Sequence, residues 1–376
     1  MHIVCFSDIT WNFLWQRQQQ MISRFPKDWK ITYVEPSFWL ALAWSLFNKL
    51  PFKRNQTIQK NIEVISVVTI PFGDRFGFSR KYNDYIITNK MKKILKKKNV
   101  KLPILLFYKP RYSCVIGSLG ESAICYDITD DIREFDASSK WLEGYIERLE
   151  KKSDMIFTSS EKILKRFQDA GRKNIFFIGN GVDVSHFEKA SQNDTIPAKE
   201  VSNIKHPVIG YVGAVGEWFD FELLQKILRE FPDCSVVLIG WAFSKQRNLL
   251  KQIKSKNLHF LGVKKYDELP KYIKAFDVCI IPFLSNRLTQ SVNPNKFYEY
   301  LASGKPIVTT TLPELEKFRH VCNIAENHKE FIEYTRNAIK KDHDPTIALD
   351  IAKQNDWKDK AAKMTELIGR LDQQTK

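Results

Sequence analysis

The chain has 376 residues, 43% of them apolar and 27% charged, and a formal net charge of +16. This is the composition of an ordinary globular protein, long enough for two or three domains. Its longest apolar stretch, Phe38 to Phe47, is about half of what a spanning helix needs, which excludes an integral membrane protein.

Strand-like and helical runs alternate along the whole length. HIVCFS (2–7) opens the chain as a buried strand. Neither a basic n-region nor an apolar h-region precedes it, so a cytoplasmic protein is expected. A helix over Trp15–Arg24 follows, then strands at 30–36 and 62–68 and a helix over Asn83–Lys98. Strands at 103–109, 122–128, 154–159 and 175–180 come next, with helices over Trp141–Lys152 and Glu161–Ala170 between them. After a polar stretch at 190–205 the alternation restarts: PVIGYVG, Glu222–Glu230, CSVVLIG, Lys245–Ser255, LHFLG, Asp267–Ala275, VCIIPF, a short helix within 293–304, and PIVTT. This pattern predicts an α/β protein of two doubly wound parallel-sheet domains with a linker near residue 195. Such sheets bind ligands at the carboxyl ends of their strands, and two of them can face each other across a cleft.

Charge is concentrated in the first third: residues 1–111 hold 20 Lys/Arg against 6 Asp/Glu, the rest 39 against 37. A basic face there fits an anionic partner. Phe38 to Phe47, Phe52-Lys53-Arg54 and IPFGDRFGFSRKY (70–82) interleave aromatic rings with cations, as an interfacial membrane patch does. The helix at 83–98, taken alone, reads as an ordinary amphipathic helix packed on the sheet. Taken with the charge bias, the region predicts contact with an anionic membrane surface. No nucleic-acid reading motif is present, so no nucleic-acid partner is expected.

The six cysteines have no CxxC or other metal spacing and read as reduced core residues. The seven histidines show no ligand spacing either, so no metal site is expected.

Two strand ends of the first domain offer carboxylates: Asp8 after strand one, and Asp127, Asp130 and Asp131 in YDITDD. Clustered carboxylates repel, which raises at least one pKa toward a value useful for a base. The competing reading is that Asp130 or Asp131 caps the next helix. The aromatic loop Thr10–Trp15 suits either stacking on sugar faces or packing in the core.

In the second domain, GYVGAVGEWFD places Gly213, Ala214 and Gly216 between a strand and a helix, and Gly240 closes the next strand. Glycines at such turns let a pyrophosphate approach the backbone, although ligand-free βα turns use them too. NPNKFYEYLASGKP (293–306) reads as a helix with Asn293 at its N-cap, Pro294 first and Gly304 as its stop. Phe297, Tyr300 and Leu301 form its apolar stripe. Lys296 after Asn295 is unfavourable in a first turn unless an anion sits there. Glu299, one turn on, suits a vicinal diol because its two oxygens can accept from neighbouring hydroxyls. Pyrophosphate and ribose together describe a nucleoside diphosphate. The alternative is a solvated Lys–Glu pair.

The segment NPNKFYEYLASGKPIVTT resembles the donor-site helix of bacterial glycosyltransferases with the GT-B fold, families 1 and 4 and their relatives. NGVDVSHF (180–187) resembles the segment by which such enzymes leave their first domain, and FLGVKKYDELPKYIKAFDVCIIPF resembles their donor-domain core. WQRQQQ, YVEP and YDITDD resemble a subgroup that builds bacterial surface polysaccharides. The resemblance implies an acceptor-binding domain over 1–190 and a donor-binding domain over 200–350. It also implies a helix at 356–376 that crosses back onto the first domain. It places the ribose on Glu299, the diphosphate on Lys296, and the phosphates or acceptor against Gly213 to Gly216. YDITD resembles the position of the base in an inverting, membrane-associated branch of the fold, which puts that role on Asp130. Two departures stand out. Ser291 occupies the place where many retaining members have a second glutamate, and GAVGEWFD lacks the usual arginine and lysine.

The expected activity is therefore transfer of a sugar from a nucleoside diphosphate, UDP foremost, to a saccharide acceptor carried on lipid. The donor is a co-substrate, and no cofactor is expected. The rival readings are a sugar-nucleotide epimerase of the same fold and a catalytically silent scaffold of a polysaccharide assembly complex.

Overall fold

Strands that are covered on both faces read as continuous apolar runs, and the central strands here are of that kind. The computed structural model describes residues 1–7, 9–36, 55–70, 74, 76–134, 137–340 and 343–374. It divides into two units. One comprises Met1–Ser159, Ile163–Ile178 and Ala361–Lys376; the other comprises Ser160–Lys162 and Gly179–Lys360.

The first unit is built on an eight-stranded sheet. Its strands are β1 (His2–Phe6), β2 (Lys30–Glu35), β3 (Asn55–Gln59), β4 (Ile62–Ser66), β5 (Ile104–Phe107), β6 (Ala123–Ile128), β7 (Met155–Thr158) and β8 (Ile175–Phe177). Their order is β3-β4-β2-β1-β5-β6-β7-β8, parallel except for β3, which pairs antiparallel with β4. Helices α1 (Arg17–Ile22), α2 (Gly77–Lys97), α3 (Glu143–Lys152) and α4 (Glu161–Asp169) connect them. One face of α2, carrying Ile87, Met91 and Leu95, is buried with Val4, Phe6, Leu105 and Phe107 of the sheet. The helix begins six residues before the expected Asn83, because Phe76 takes the capping position with extended backbone.

The second unit has six parallel strands: β9 (Val208–Val212), β10 (Ser235–Ile239), β11 (Leu258–Gly262), β12 (Val278–Ile281), β13 (Ile307–Thr310) and β14 (Asn323–Ala325). Their order is β11-β10-β9-β12-β13-β14. Between them run α5 (Phe221–Glu230), α6 (Ser244–Gln252), α7 (Leu269–Ile273), α8 (Asn295–Ala302) and α9 (His328–Lys340), followed by α10 (Thr346–Gln354); the last helix, α11 (Trp357–Gln374), starts in this unit and from Ala361 on belongs to the first.

The division between the units falls earlier than residue 195. Val182, Phe187, Ala190 and Val201 are all buried in the core of the second unit, so the segment 179–190 belongs there rather than with residues 1–178. The polar composition of 190–205 hides this: a single turn at Lys199–Ser202 turns only Val201 inward.

Strand order reverses at β1, flanked by β2 and β5, and at β9, flanked by β10 and β12. Crevices at such switch points are where open α/β sheets bind ligands.

Candidate functional site

In the second unit the chemistry gathers at the β9 switch point. Helix α8 starts at Asn295, with Pro294 capping it in extended conformation (φ −75°, ψ 121°), one residue later than the sequence suggests. Phe297, Tyr300 and Leu301 are fully buried, and Gly304 stops the helix at φ +63°. The Tyr300 hydroxyl accepts the Val212 N–H at 2.8 Å, which pins the helix to the last residue of β9.

That anchor places Lys296 over the residue after the strand. A Cβ on Gly213 would lie 2.3 Å from Lys296 Cε and 3.0 Å from Nζ. The ammonium also sits 5.2 Å from the ring centre of Phe283 and 5.7 Å from that of Tyr211. Cation–π contact of this kind holds a charge in place without neutralising it. Glu299, one turn further, is largely covered; desolvation raises its pKa to about 7, and Lys296 opposes the rise. Asn295 Oδ1 is buried without a hydrogen-bond partner. A buried acceptor of this sort calls for a donor from outside the protein.

The glycines have reasons internal to the fold. Gly240 has φ +140°, and a Cβ there would come within 2.1 Å of the Gly213 carbonyl oxygen. Gly216 lies against the Trp218 indole, 2.6 Å from where its Cβ would be. The Ala214 carbonyl accepts from the Tyr211 hydroxyl (2.7 Å) and from Trp218 Nε1 (3.2 Å). The N–H groups of Gly213 and Val215 donate to the Ile239 and Trp241 carbonyls at 2.8 and 2.7 Å. The loop is thus stitched to the next strand end through Gly213 and Val215, while the amides of Ala214 and Gly216 take no part in these pairings. The pairing of Tyr211 and Phe283 about Lys296 is not legible in the sequence, because one lies within β9 and the other follows β12.

In the first unit, Asp8 lies outside the described residues. Ser7 beside it is buried, and its hydroxyl accepts from Tyr33 Oη at 2.5 Å. The aromatic loop divides its roles. Trp11 is 3% exposed and meets Tyr33 edge-on at 4.9 Å, while Phe13 is 45% exposed. The Gln19 amide holds this loop by donating to the Thr10 and Leu14 carbonyls.

The three aspartates do not form the repelling cluster the sequence suggests. Asp127 is fully buried and bound by Arg17 through two bonds, Nε to Oδ2 at 2.9 Å and Nη2 to Oδ1 at 3.0 Å. Asp131 accepts from Arg166 at 2.9 Å and from the Arg133 N–H at 3.2 Å, capping the 3₁₀ turn Ile132–Glu134. The cap is therefore supplied by Asp131. Asp130 is half-buried two residues beyond β6. Tyr108, which follows β5, keeps its hydroxyl buried and without a hydrogen-bond partner; desolvation and the nearby Asp127 charge push its pKa up.

Among the described residues, no group of three or more His, Cys, Asp or Glu side chains could hold a metal ion. No described helix is long and apolar enough to cross a membrane.

Residues 206–341 match the family described as glycosyl transferases group 1. The teichuronic acid biosynthesis glycosyltransferase TuaH of Bacillus subtilis (strain 168) is 26% identical over 222 residues, 56% of this chain and 55% of that protein. The chain thus matches about half the length of this relative. Among solved structures, Anabaena Alr3699/HepE in complex with UDP and glucose superposes with a TM-score of 0.70 at 14% identity, over 98% of this chain and 99% of that one. Sucrose-phosphate synthase from Thermosynechococcus elongatus gives a TM-score of 0.74 at 12% identity, over 98% of each chain. The family match covers most of the second unit, and the likeness to these structures over nearly the whole chain shows the GT-B fold, two Rossmann-like units.

Proposed function

We propose that this protein transfers a hexosyl residue from a UDP-sugar to a saccharide acceptor carried on lipid, at the inner face of the cell membrane, in assembly of a bacterial surface polysaccharide. The observation that carries the donor half is the placement of Lys296 over Gly213 at the β9 switch point, with Glu299 one turn away. An ammonium held by ring faces, at a helix start, suits a diphosphate. A largely covered carboxylate that titrates near neutrality suits a ribose diol, whose hydroxyls would supply the hydrogen bonds that burial removes. Alr3699/HepE binds UDP and glucose, which agrees with this donor class, and TuaH is named for teichuronic acid synthesis, which agrees with the acceptor class.

The chemical step is a displacement with inversion. The acceptor hydroxyl oxygen attacks the anomeric carbon as the bond from that carbon to UDP breaks. Asp130 takes the hydroxyl proton, and Lys296 faces the charge left on the departing diphosphate. Asp8 is the other carboxylate considered for the proton. The scheme uses no metal and no resident cofactor, since one cation and the helix start supply the charge.

Incubating the protein with UDP-, GDP- and dTDP-sugars, with and without a lipid-linked saccharide extract, tests this reading. UDP release that depends on the extract is expected. Consumption of none of the donors, or product that remains a nucleotide sugar with inverted configuration, would overturn it.

A further inference from the structure

Helix α2 (Gly77–Lys97) presents an outward face that the sheet does not use. Ser79, Asn83, Ile87, Met91 and Leu95 are buried at four-residue spacing and fix the inner face. At 100° per residue, Phe78, Tyr82, Tyr85, Lys92, Lys93 and Lys96 all fall on the opposite side. The rings are strongly exposed: Phe78 is 80% accessible, Tyr82 54% and Tyr85 64%. Phe76, immediately before the helix, is 57% accessible and stacks on Phe78 at 6.4 Å; Tyr82 and Tyr85 stack on each other at 6.2 Å. The stripe therefore has an aromatic first half and a cationic second half, along a helix about 30 Å long.

No carboxylate interrupts it. The helix's only acid, Asp84, accepts from Arg111 and from the Tyr145 hydroxyl and so is occupied within the fold. Lone exposed aromatics are ordinary on a surface, but two stacked pairs followed by three lysines on one helix stripe are not.

We propose that this stripe is the surface by which the protein lies on an anionic lipid bilayer, with α2 parallel to the membrane plane. A soluble anion would need only the lysines. Rings standing beside them fit a partner that has an apolar layer beneath a charged one, which is the make-up of a bilayer interface. The phenol rings sit at headgroup depth, Phe76 and Phe78 reach below it, and the lysines meet the lipid phosphates. The inference deepens the membrane-facing acceptor reading above and takes its purpose, though not its geometry, from that reading. It also places the contact on a helix that the sequence alone assigns to ordinary packing. The aromatic run from Phe38 to Phe47 lies outside the described residues.

Vesicle sedimentation of the full chain, without donor or acceptor, tests the proposal. Wild type should bind phosphatidylglycerol-containing vesicles, bind pure phosphatidylcholine poorly, and release as salt rises. Lys92→Gln with Lys93→Gln and Lys96→Gln should weaken anionic binding on the order of a hundredfold. Phe78→Ser with Tyr82→Ser and Tyr85→Ser should weaken it about tenfold or more. Both sets should keep wild-type melting temperature and UDP affinity. Triple variants that sediment like wild type, or a wild type that binds neither vesicle or both equally, would overturn it. Loss of UDP binding by wild type would instead overturn the donor-site reading and leave the vesicle result standing.

Discussion

Lys296 fills the space that a side chain on Gly213 would need, its Cε lying 2.3 Å from where that Cβ would be. The glycine's lack of a side chain is thus what lets the ammonium rest between the Tyr211 and Phe283 rings. Gly213→Ala should drive Lys296 off that seat. UDP affinity is expected to fall by roughly 1–3 kcal/mol, the usual cost of overpacking a tight site. Calorimetry with UDP reads this; undiminished affinity would mean that Lys296 does not need its position.

Gly240→Ala should act on folding. Its Cβ would meet the Gly213 carbonyl oxygen at 2.1 Å from a backbone at φ +140°. A loss on the order of 1–3 kcal/mol in denaturant unfolding is expected, because backbone cannot give way as a side chain can.

Glu299 gives a pH signature. Its pKa is raised from 4.5 to about 7 in the folded protein, so the folded state holds the proton more tightly than the unfolded chain does. Its contribution to ligand-free stability is intact below about pH 4.5 and is lost as pH rises through about 7. Glu299→Gln removes that dependence. At about pH 8 the variant should be more stable than wild type by on the order of 1–3 kcal/mol, and near the lower pH the gap should close. The same variant should bind UDP more weakly. A stability gain combined with a binding loss is what a ligand-facing carboxylate predicts and a purely structural one does not.

Arg17 and Asp127 form a buried pair, 2% and 0% exposed, between positions 110 apart in the chain. Removing either partner alone leaves an uncompensated buried charge and should cost about 3–5 kcal/mol. Arg17→Met with Asp127→Leu should cost less than either single change. A double-mutant cycle by urea unfolding measures this, and additive losses would show that the pair is not coupled.

Asp130 and Asp131 should separate by phenotype. Asp131→Asn removes the Arg166 pair and weakens the cap of the 3₁₀ turn, so melting temperature should fall. Asp130→Asn should melt normally, bind UDP normally and lose most of its transfer rate. Normal turnover in Asp130→Asn would pass the role of base to Asp8 or remove it from this loop.

The doubly wound architecture is readable because parallel strands buried on both faces leave nearly continuous apolar runs, as in VIGYV and ILLF. The short edge strands β3 and β14 are not, since NQTIQ and NIA carry no such run. Lys296 and Glu299 stand out in the sequence because a cation in a first turn violates a local rule. Their setting does not stand out: Tyr300 reaches Val212 from 88 positions away, and Phe283 comes to Lys296 from the end of a different strand. The pairing of Asp127 with Arg17 is hidden for the same reason. A run of aspartates reads as mutual repulsion until the partners from α1 and α4 are in place.

The central claim is that α8 and the end of β9 hold a nucleoside diphosphate, and calorimetry of Lys296→Ala with UDP and with uridine tests it most directly. UDP affinity should fall by about 1.5–3 kcal/mol, the range for a hydrogen bond to a charged group, while uridine affinity stays near wild type. Unchanged UDP affinity, or equal losses for UDP and uridine, would contradict it.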